Sequence, residues 1–325
     1  MMNTFVIAEA GANHNKDFNQ AKSLIDVAYK SGASACKFQT YSSETLYSKN
    51  TPDFAGYKNI NELIKNIELP REWQIDLKNY CDEIGIEFMS TPFDEKAVDE
   101  LVNLGVKRLK IAGFESTDYR FVEMVASTGL PLIISLGIGF DYENIGSLLD
   151  ILEKYDNHLT LLHCNNAYPT PESEINLATL NTLKSIKNVN SIGLSDHTIS
   201  TLTPSIAVAL GANVIEKHFT LEKTLPGPDH AFALDPKELD EMINNIVITE
   251  SMIGEQKPKY SKSELSFTKA RRSIVAKCDI TKGELLTVEN ITTKRPYLKG
   301  NLSASNWFNA LGRKSEKNYK KDDFI

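Results

Sequence analysis

Two histidines, each closing a short apolar run, are the residues of this chain best placed to do chemistry. Ser191–Leu194 leads into Ser195-Asp196-His197, and Val214–Lys217 leads into His218. The segment between them, Thr203–Gly211, has helical spacing. The stretch therefore reads as strand–helix–strand, and within one sheet that means parallel strands joined by a right-handed crossover. Both C-terminal strand ends then lie on one side, where His197 and His218 can meet. Two imidazoles side by side suit a divalent metal. Either histidine alone would be read as a capping or packing residue; the pair in this layout favours a site.

Other short runs end in the same way. Thr4–Ala10 puts Phe5, Ile7 and Glu9 on one face, and a carboxylate there is out of place in a packed core. Ala35–Gln39 puts Lys37 and Gln39 on one face. Ile86–Met89 runs into Ser90-Thr91-Pro92, and Arg108–Ile111 carries Lys110. Leu132–Ile134 ends in Ser135, and Leu159–Leu162 ends in His163-Cys164-Asn165-Asn166. Lysines inside a core need an anionic partner, so Lys37 and Lys110 point to a bound anion.

Helical segments must separate these runs. The spacing predicts helices over Asn19–Ser31, with Ala21, Leu24, Ile25, Ala28 and Tyr29 on the buried side, and over Glu72–Gly85, with Trp73, Ile75, Leu77, Tyr80 and Cys81 as candidates for burial. Further helices run to Leu104 and to Ser127, over Asn144–Tyr155, around Leu177–Ile186 and over Pro236–Ile253. Thr40 to Ile60 is polar and without period, and reads as a long loop of the kind that serves function. Eight strands alternating with eight helices fit a (β/α)8 TIM barrel over residues 1–255. An open doubly wound sheet would strew the polar strand ends along an edge; a barrel collects Glu9, Lys37, Gln39, Ser90, Lys110, Ser135, Asn166, Ser195, His197 and His218 at one mouth.

After Gly254 the texture changes. Residues 256–270 read as a polar linker, and residues 271–325 as a small domain whose core is marginal alone. The 325 residues carry 36 basic and 43 acidic side chains, a net charge of -7, with no basic stripe for nucleic acid. No apolar run approaches the ~18 residues of a membrane span, and the N-terminus is not that of a signal peptide. The four cysteines form no C-x-x-C pair, so reduced thiols and a cytoplasmic location are expected.

The motifs together resemble the sialic acid synthase family. The likeness runs through AEAGANHN at 8–15, KFQTY at 37–41, STPFD at 90–94, LKIAGFE at 109–115, LLHCNNAYPTP at 161–171, GLSDHT at 193–198, EKHFT at 216–220 and PGPDH at 226–230. The tail, through RRSIVAKCDITKGELL at 271–286 and KRP at 294–296, resembles the antifreeze-protein-like (SAF) domain that closes these synthases. The resemblance implies condensation of phosphoenolpyruvate with an N-acetylated hexosamine, N-acetylmannosamine or a deoxy or diacetamido relative. The products are a nine-carbon ulosonic acid and phosphate. It implies a divalent metal, Mn or Mg, on His197 and His218. It implies phosphoenolpyruvate contacts from Lys37, Thr91, Lys110, Ser135, Asn166 and Ser195, and sugar contacts from Glu9, Gln39, Tyr168 and Asp229. It also implies a homodimer with exchanged tails, in which Arg295 reaches the sugar in the partner's barrel. Glu9, Lys110 and His218 are the catalytic candidates. Gly113 stands where the family usually has a serine, and the sequence after KRP departs from the usual glycine-rich continuation.

Other functions fit parts of the pattern. A synthase using a sugar phosphate as acceptor would need a second phosphate site, and no arginine-rich cluster marks one. A Schiff-base aldolase or lyase could use Lys110 as nucleophile without the histidine pair. A binding protein relying on the tail alone would have no use for the lysines at the barrel strand ends.

Overall fold

The computed structural model describes residues 3–53, 56, 58–140, 142, 145–255 and 260–325. The chain divides into two compact units, Met1–Gly254 and Glu255–Ile325.

The first unit is built on eight parallel strands: β1 (Phe5–Gly11), β2 (Ala35–Thr40), β3 (Glu87–Pro92), β4 (Leu109–Ile111), β5 (Leu132–Leu136), β6 (Leu159–Cys164), β7 (Ser191–Asp196) and β8 (Val214–His218). Their order is β3-β2-β1-β8-β7-β6-β5-β4. β3 and β4 pack side by side and close the ring. This is a TIM barrel, and parallel strands bring all eight C-terminal ends to one mouth. Around it run α1 (Phe18–Lys30), α2 (Ile60–Ile67), α3 (Gln74–Ile84), α4 (Glu95–Leu104), α5 (Tyr119–Ala126), α6 (Ile145–Leu152), α7 (Thr179–Lys184), α8 (Thr203–Ala209) and α9 (Pro236–Ile253). Local chemistry sets several starts: Asp17, Asp94 and Asp118 cap α1, α4 and α5, and Asp235 forms a capping box with Glu238 on α9.

The two-residue alternation of strands sorts the core. Outward-facing Val6, Ala8, Phe38, Phe88, Leu109, Ile134, Leu161, Leu194 and Ile215 pack on the helices. Inward-facing Ile7, Ala35, Met89, Ile133, Leu162 and Val214 fill the bottom of the barrel. The next inward layer is polar, and it is the floor of the mouth.

Three expectations about elements need correction. The helix expected over 72–85 begins as a 3-10 turn at Arg71–Trp73 before α3. Within α3, Gln74, Leu77 and Cys81 share one face at i, i+3, i+7 and are buried, while Ile75, two residues from Leu77 and so about 200° round the helix, is exposed. On α1, Tyr29 is also exposed, its ring lying beside the stripe of Ala21, Leu24, Ile25 and Ala28. Directly after the long polar loop, α2 was not expected at all. The proposed helix start at Asn144 and linker positions 256–259 lie outside the described residues. Cys36, Cys81 and Cys164 are buried free thiols and Cys278 is exposed. Among the described residues no helix is long and apolar enough to cross a membrane.

The second unit pairs β9 (Ser273–Ala276) antiparallel with β10 (Ile291–Lys294) around a core of Ile274, Ala276, Ile280, Leu286, Ile291, Ala310 and Tyr319. A 3-10 helix, Leu265–Ala270, precedes it within the segment read as a polar linker.

Candidate active site

The floor of the barrel mouth is a network of buried ions. Glu9, Lys37, Lys110, Ser135, Ser195 and Glu216 are almost fully buried. Lys37 Nζ lies 2.7 Å from Glu9 Oε2, donates to Thr91 Oγ1 at 2.9 Å and stands 3.6 Å from Glu216 Oε2. Lys110 Nζ donates to Ser135 Oγ at 2.8 Å and to the Ile111 carbonyl at 3.0 Å, and stands 3.6 Å from Glu216 Oε1. Ser195 Oγ donates to Glu216 Oε1 at 3.0 Å, and Gln39 Nε2 donates to Glu9 Oε1 at 2.8 Å. One carboxylate, Glu216, thus faces both lysines.

Burial sets the charge states. It would strip the Lys37 ammonium of its proton, but Glu216 and Glu9 outweigh it and hold that group above its ordinary value. Burial lowers Lys110, with Glu216 only partly offsetting it. Burial lifts both carboxyls; for Glu216 the two lysines overcome it and hold the acid below its usual range. Glu9 has mainly Lys37 to oppose burial and Glu216 against it, and is pushed up to about 7.

Beside this floor stand the two imidazoles, their ring centroids 5.5 Å apart. Burial lowers His197 to about 4 and His218 well below the usual histidine value, so both are neutral. His197 Nδ1 lies 2.6 Å from the Asn165 carbonyl, which can only accept; Nδ1 therefore carries the proton and Nε2 keeps its lone pair. His218 Nδ1 is buried without a hydrogen-bond partner and lies 3.9 Å from Asp229 Oδ2. Tyr168 packs on His197 at 4.3 Å, and Phe232 meets His218 edge-on at 5.3 Å. An orphaned ring nitrogen beside a second neutral imidazole with a free lone pair fits a divalent metal. Among the described residues no group of three or more His, Cys, Asp and Glu is placed to hold a metal ion.

Glu9, Lys37, Gln39, Thr91, Lys110, Ser135, Asn166, Tyr168, Ser195, His197, His218 and Asp229 all line one cavity of about 1020 Å³, open mouth included. Burial raises the Asp229 carboxyl to about 6 against a backbone hydrogen bond at Ala12. The Asn166 amide is wedged by glycine: a Cβ on Gly113 would come within 2.8 Å of its Oδ1, and one on Gly137 within 2.0 Å. A side chain at 113 would require Asn166 to shift. Ser90 turns away from the cavity and bonds Thr40 at 2.7 Å. Arg295 lies in the second unit, exposed, just past β10.

Two features were missed or under-read. Glu216, which in the sequence shares a strand face with His218 and reads equally well as a support for the site or as part of a core salt bridge, is a member of the floor. The second is an apolar wall: Ile60, Leu63, Ile64 and Ile67 of α2, with Tyr41, Leu46, Tyr47 and Phe93, line the same cavity. The i, i+3, i+4, i+7 spacing of the α2 residues was the available signal.

The NeuB family model matches residues 24–258, and the SAF domain model matches residues 271–325. The chain is 41% identical to the N,N'-diacetyllegionaminic acid synthase of Legionella pneumophila, over 91% of this chain and 86% of that protein. It is 36% identical to the pseudaminic acid synthase of Helicobacter pylori, over 96% and 93%. The crystal structure of an N-acetylneuraminic acid synthetase from Leptospira borgpetersenii in complex with citrate superposes with a TM-score of 0.75 at 35% identity, covering 82% of this chain and 90% of that one. This chain is an enzyme of the NeuB family, a sialic acid synthase-type TIM barrel followed by a SAF domain.

Proposed function

We propose that the enzyme condenses phosphoenolpyruvate with an N-acetylated hexosamine, giving a nine-carbon ulosonic acid and inorganic phosphate, with Mn or Mg held by His197 and His218. The observation that carries this reading is the pair of buried lysines around Glu216, directly beside two neutral imidazoles, at the floor of one cavity. Phosphoenolpyruvate is highly anionic near neutral pH, and two ammonium groups in a low-dielectric cavity are a fitting receptor. The names of the relatives, synthases of acylated amino-sugar acids, support an N-acylated acceptor.

Lys37 and Lys110 would hold the phosphate and carboxylate, with Thr91, Ser135, Asn166 and Ser195 as neutral donors. Gln39, Asp229 and Tyr168 would orient the sugar. A bound divalent metal would supply a Lewis acid for the sugar aldehyde. The enol C3 forms a bond to the aldehyde carbon, whose oxygen takes up a proton. Water adds at C2; the C2–O bond to phosphorus then breaks, phosphate leaves and the ketone forms. Glu9, raised to about 7, is a floor carboxyl able to carry a proton near neutral pH. In a homodimer, the SAF domain of one chain would complete the other's site through Arg295.

The test is phosphate release from phosphoenolpyruvate with amino-sugar acceptors, read with the mass of the acid formed. Release should require both acceptor and divalent metal. No release with any 2-acetamido sugar, or full release in excess chelator, would overturn the reading.

A further inference from the structure

The segment PGPDH at 226–230 ends in a histidine that the chemistry above does not use. His230 is almost fully buried, one residue past Asp229. Its Nε2 donates to Asn15 Oδ1 at 3.2 Å, and its Nδ1 shares a hydrogen bond of 2.6 Å with Thr220 Oγ1. Asn15 belongs to the loop after β1, and Thr220 stands just past β8. One imidazole therefore joins three chain segments at the barrel mouth. The loop after β1 is shaped for this tie. Asn15 takes a left-handed backbone, φ 49°, which asparagine tolerates better than most residues. Gly227 leaves the space: a Cβ there would come within 2.8 Å of His230 Cδ2 and 3.2 Å of Asn15 Oδ1.

The tie bears on where Asp229 sits. The loop that carries Asp229 leaves β8 at His218 and returns at Leu234. There the Leu234 N–H donates to the His218 carbonyl at 3.0 Å, and the Thr220 N–H donates to the Leu234 carbonyl at 2.9 Å. Those bonds fix the base of the loop, not its tip. At the tip, Asp229 Oδ2 lies 3.9 Å from His218 Nδ1, in a notch over Gly11 where a Cβ would come within 3.1 Å of it. The Ala12 backbone reaches the same carboxyl. His230, adjacent in sequence, anchors the tip to both the β1 loop and the end of β8.

Resting on the function proposed above, we propose that His230 is a positioning residue: by tying Asn15 to Thr220 it holds Asp229 beside His218, where the carboxyl meets the acceptor sugar.

The experiment measures phosphate release by the full-length enzyme with phosphoenolpyruvate and Mn²⁺, with N-acetylmannosamine and other 2-acetamido sugars as acceptors. His230→Leu fills much of the space of the ring and removes both hydrogen bonds. It should lower kcat/KM for the acceptor by about 10- to 100-fold, the scale of a slightly misplaced contact, while the phosphoenolpyruvate KM stays within twofold. His230→Gln, which can still donate to Asn15, should recover much of that loss. Asn15→Ala, in a partly exposed loop, should repeat the loss from the other end of the tie, so that a folding defect at position 230 does not decide the outcome. Once Asp229 is gone, His230 has nothing to position. Adding His230→Leu to Asp229→Ala should therefore slow the enzyme no further. Full activity in His230→Leu or in Asn15→Ala, a His230→Gln no better than the leucine, an equal rise in the phosphoenolpyruvate KM, or losses that multiply in the double variant would each overturn the proposal and leave the synthase reading intact. No release by the wild-type enzyme with any of the acceptors would overturn both.

Discussion

Lys217 Nζ lies 2.7 Å from Asp196 Oδ2 on the outer face of the barrel, joining the ends of the two strands that carry His197 and His218. Both charges are almost fully buried. Asp196 also accepts the Thr198 backbone N–H at 2.9 Å, and Lys217 donates to the Thr198 carbonyl. The ion pair therefore fixes the turn that contains His197 against the strand that contains His218. Lys217→Met should cost on the order of 3–5 kcal/mol of stability, because it leaves Asp196 buried and unpaired. Adding Asp196→Asn, which keeps the acceptor for the Thr198 N–H but removes the charge, should restore most of that. If the pair spaces the imidazoles, the double variant should melt near wild type yet bind Mn²⁺ ~10–100-fold more weakly. Calorimetry and Mn²⁺ electron paramagnetic resonance separate the two effects.

The same resonance measurement tests the ligands. His197→Ala and His218→Ala should each abolish tight Mn²⁺ binding while circular dichroism stays that of a folded barrel. Unchanged Mn²⁺ affinity in either variant would remove that histidine from the site.

Lys37→Met and Lys110→Met should each lower kcat/KM for phosphoenolpyruvate by roughly 30- to 1000-fold, on the order of 2–4 kcal/mol for a lost charge-assisted contact in a closed site. Burial lowers the Lys110 ammonium toward the neutral amine, the form an aldolase would need. Borohydride with pyruvate decides the matter: the synthase reading expects no covalent adduct, and a pyruvyl adduct on Lys110 would establish the Schiff base instead.

Glu115 gives a pH signature away from the histidines. Its Oε2 is buried without a hydrogen-bond partner, and burial raises its carboxyl to about 7. The folded state thus holds this proton more tightly than the unfolded chain, whose value is 4.5. Stability from this group is full below that value and is lost as pH rises through about 7. Glu115→Gln should match wild type near pH 4.5 and exceed it at pH 8, by on the order of 2–3 kcal/mol. Urea melts at both pH values check it; equal stability at pH 8 would show the carboxylate to be solvated.

Much of this was legible in the chain. Inward polar residues interrupt otherwise apolar strand faces at Glu9, Lys37, Lys110, Ser195 and Glu216, and parallel topology alone forces those ends together. The resemblance then attached a chemistry to them. What escaped had physical reasons. α2 is only eight residues long, follows an aperiodic loop and spends its apolar face on a cavity wall rather than on the core. Ile75 was misplaced because it lies two residues from Leu77 in the same helix, on the opposite face, so its apolar character did not carry it inward. The coupling of Glu216 to both lysines is a matter of ångströms across three strands, which no single-strand pattern encodes.

The last prediction concerns Arg295, exposed beyond β10 in a SAF unit whose own core is small. If each SAF domain serves the partner's barrel, the site is shared between chains in a C2 pair, which leaves no open interface. Deleting residues after Gly254 should then abolish condensation but leave a barrel that binds Mn²⁺. Mixing Arg295→Ala chains with His218→Ala chains is sharper. In an exchanged heterodimer, the mutant arginine serves the barrel that already lacks His218. Both lesions fall in one site and the other site is intact. Activity should return to up to about half per heterodimer, and to about a quarter overall for random assortment. Without exchange, each site of the heterodimer carries one lesion and no activity returns. Heterodimers shown by native mass spectrometry to form yet to remain inactive would place Arg295 outside the partner's site.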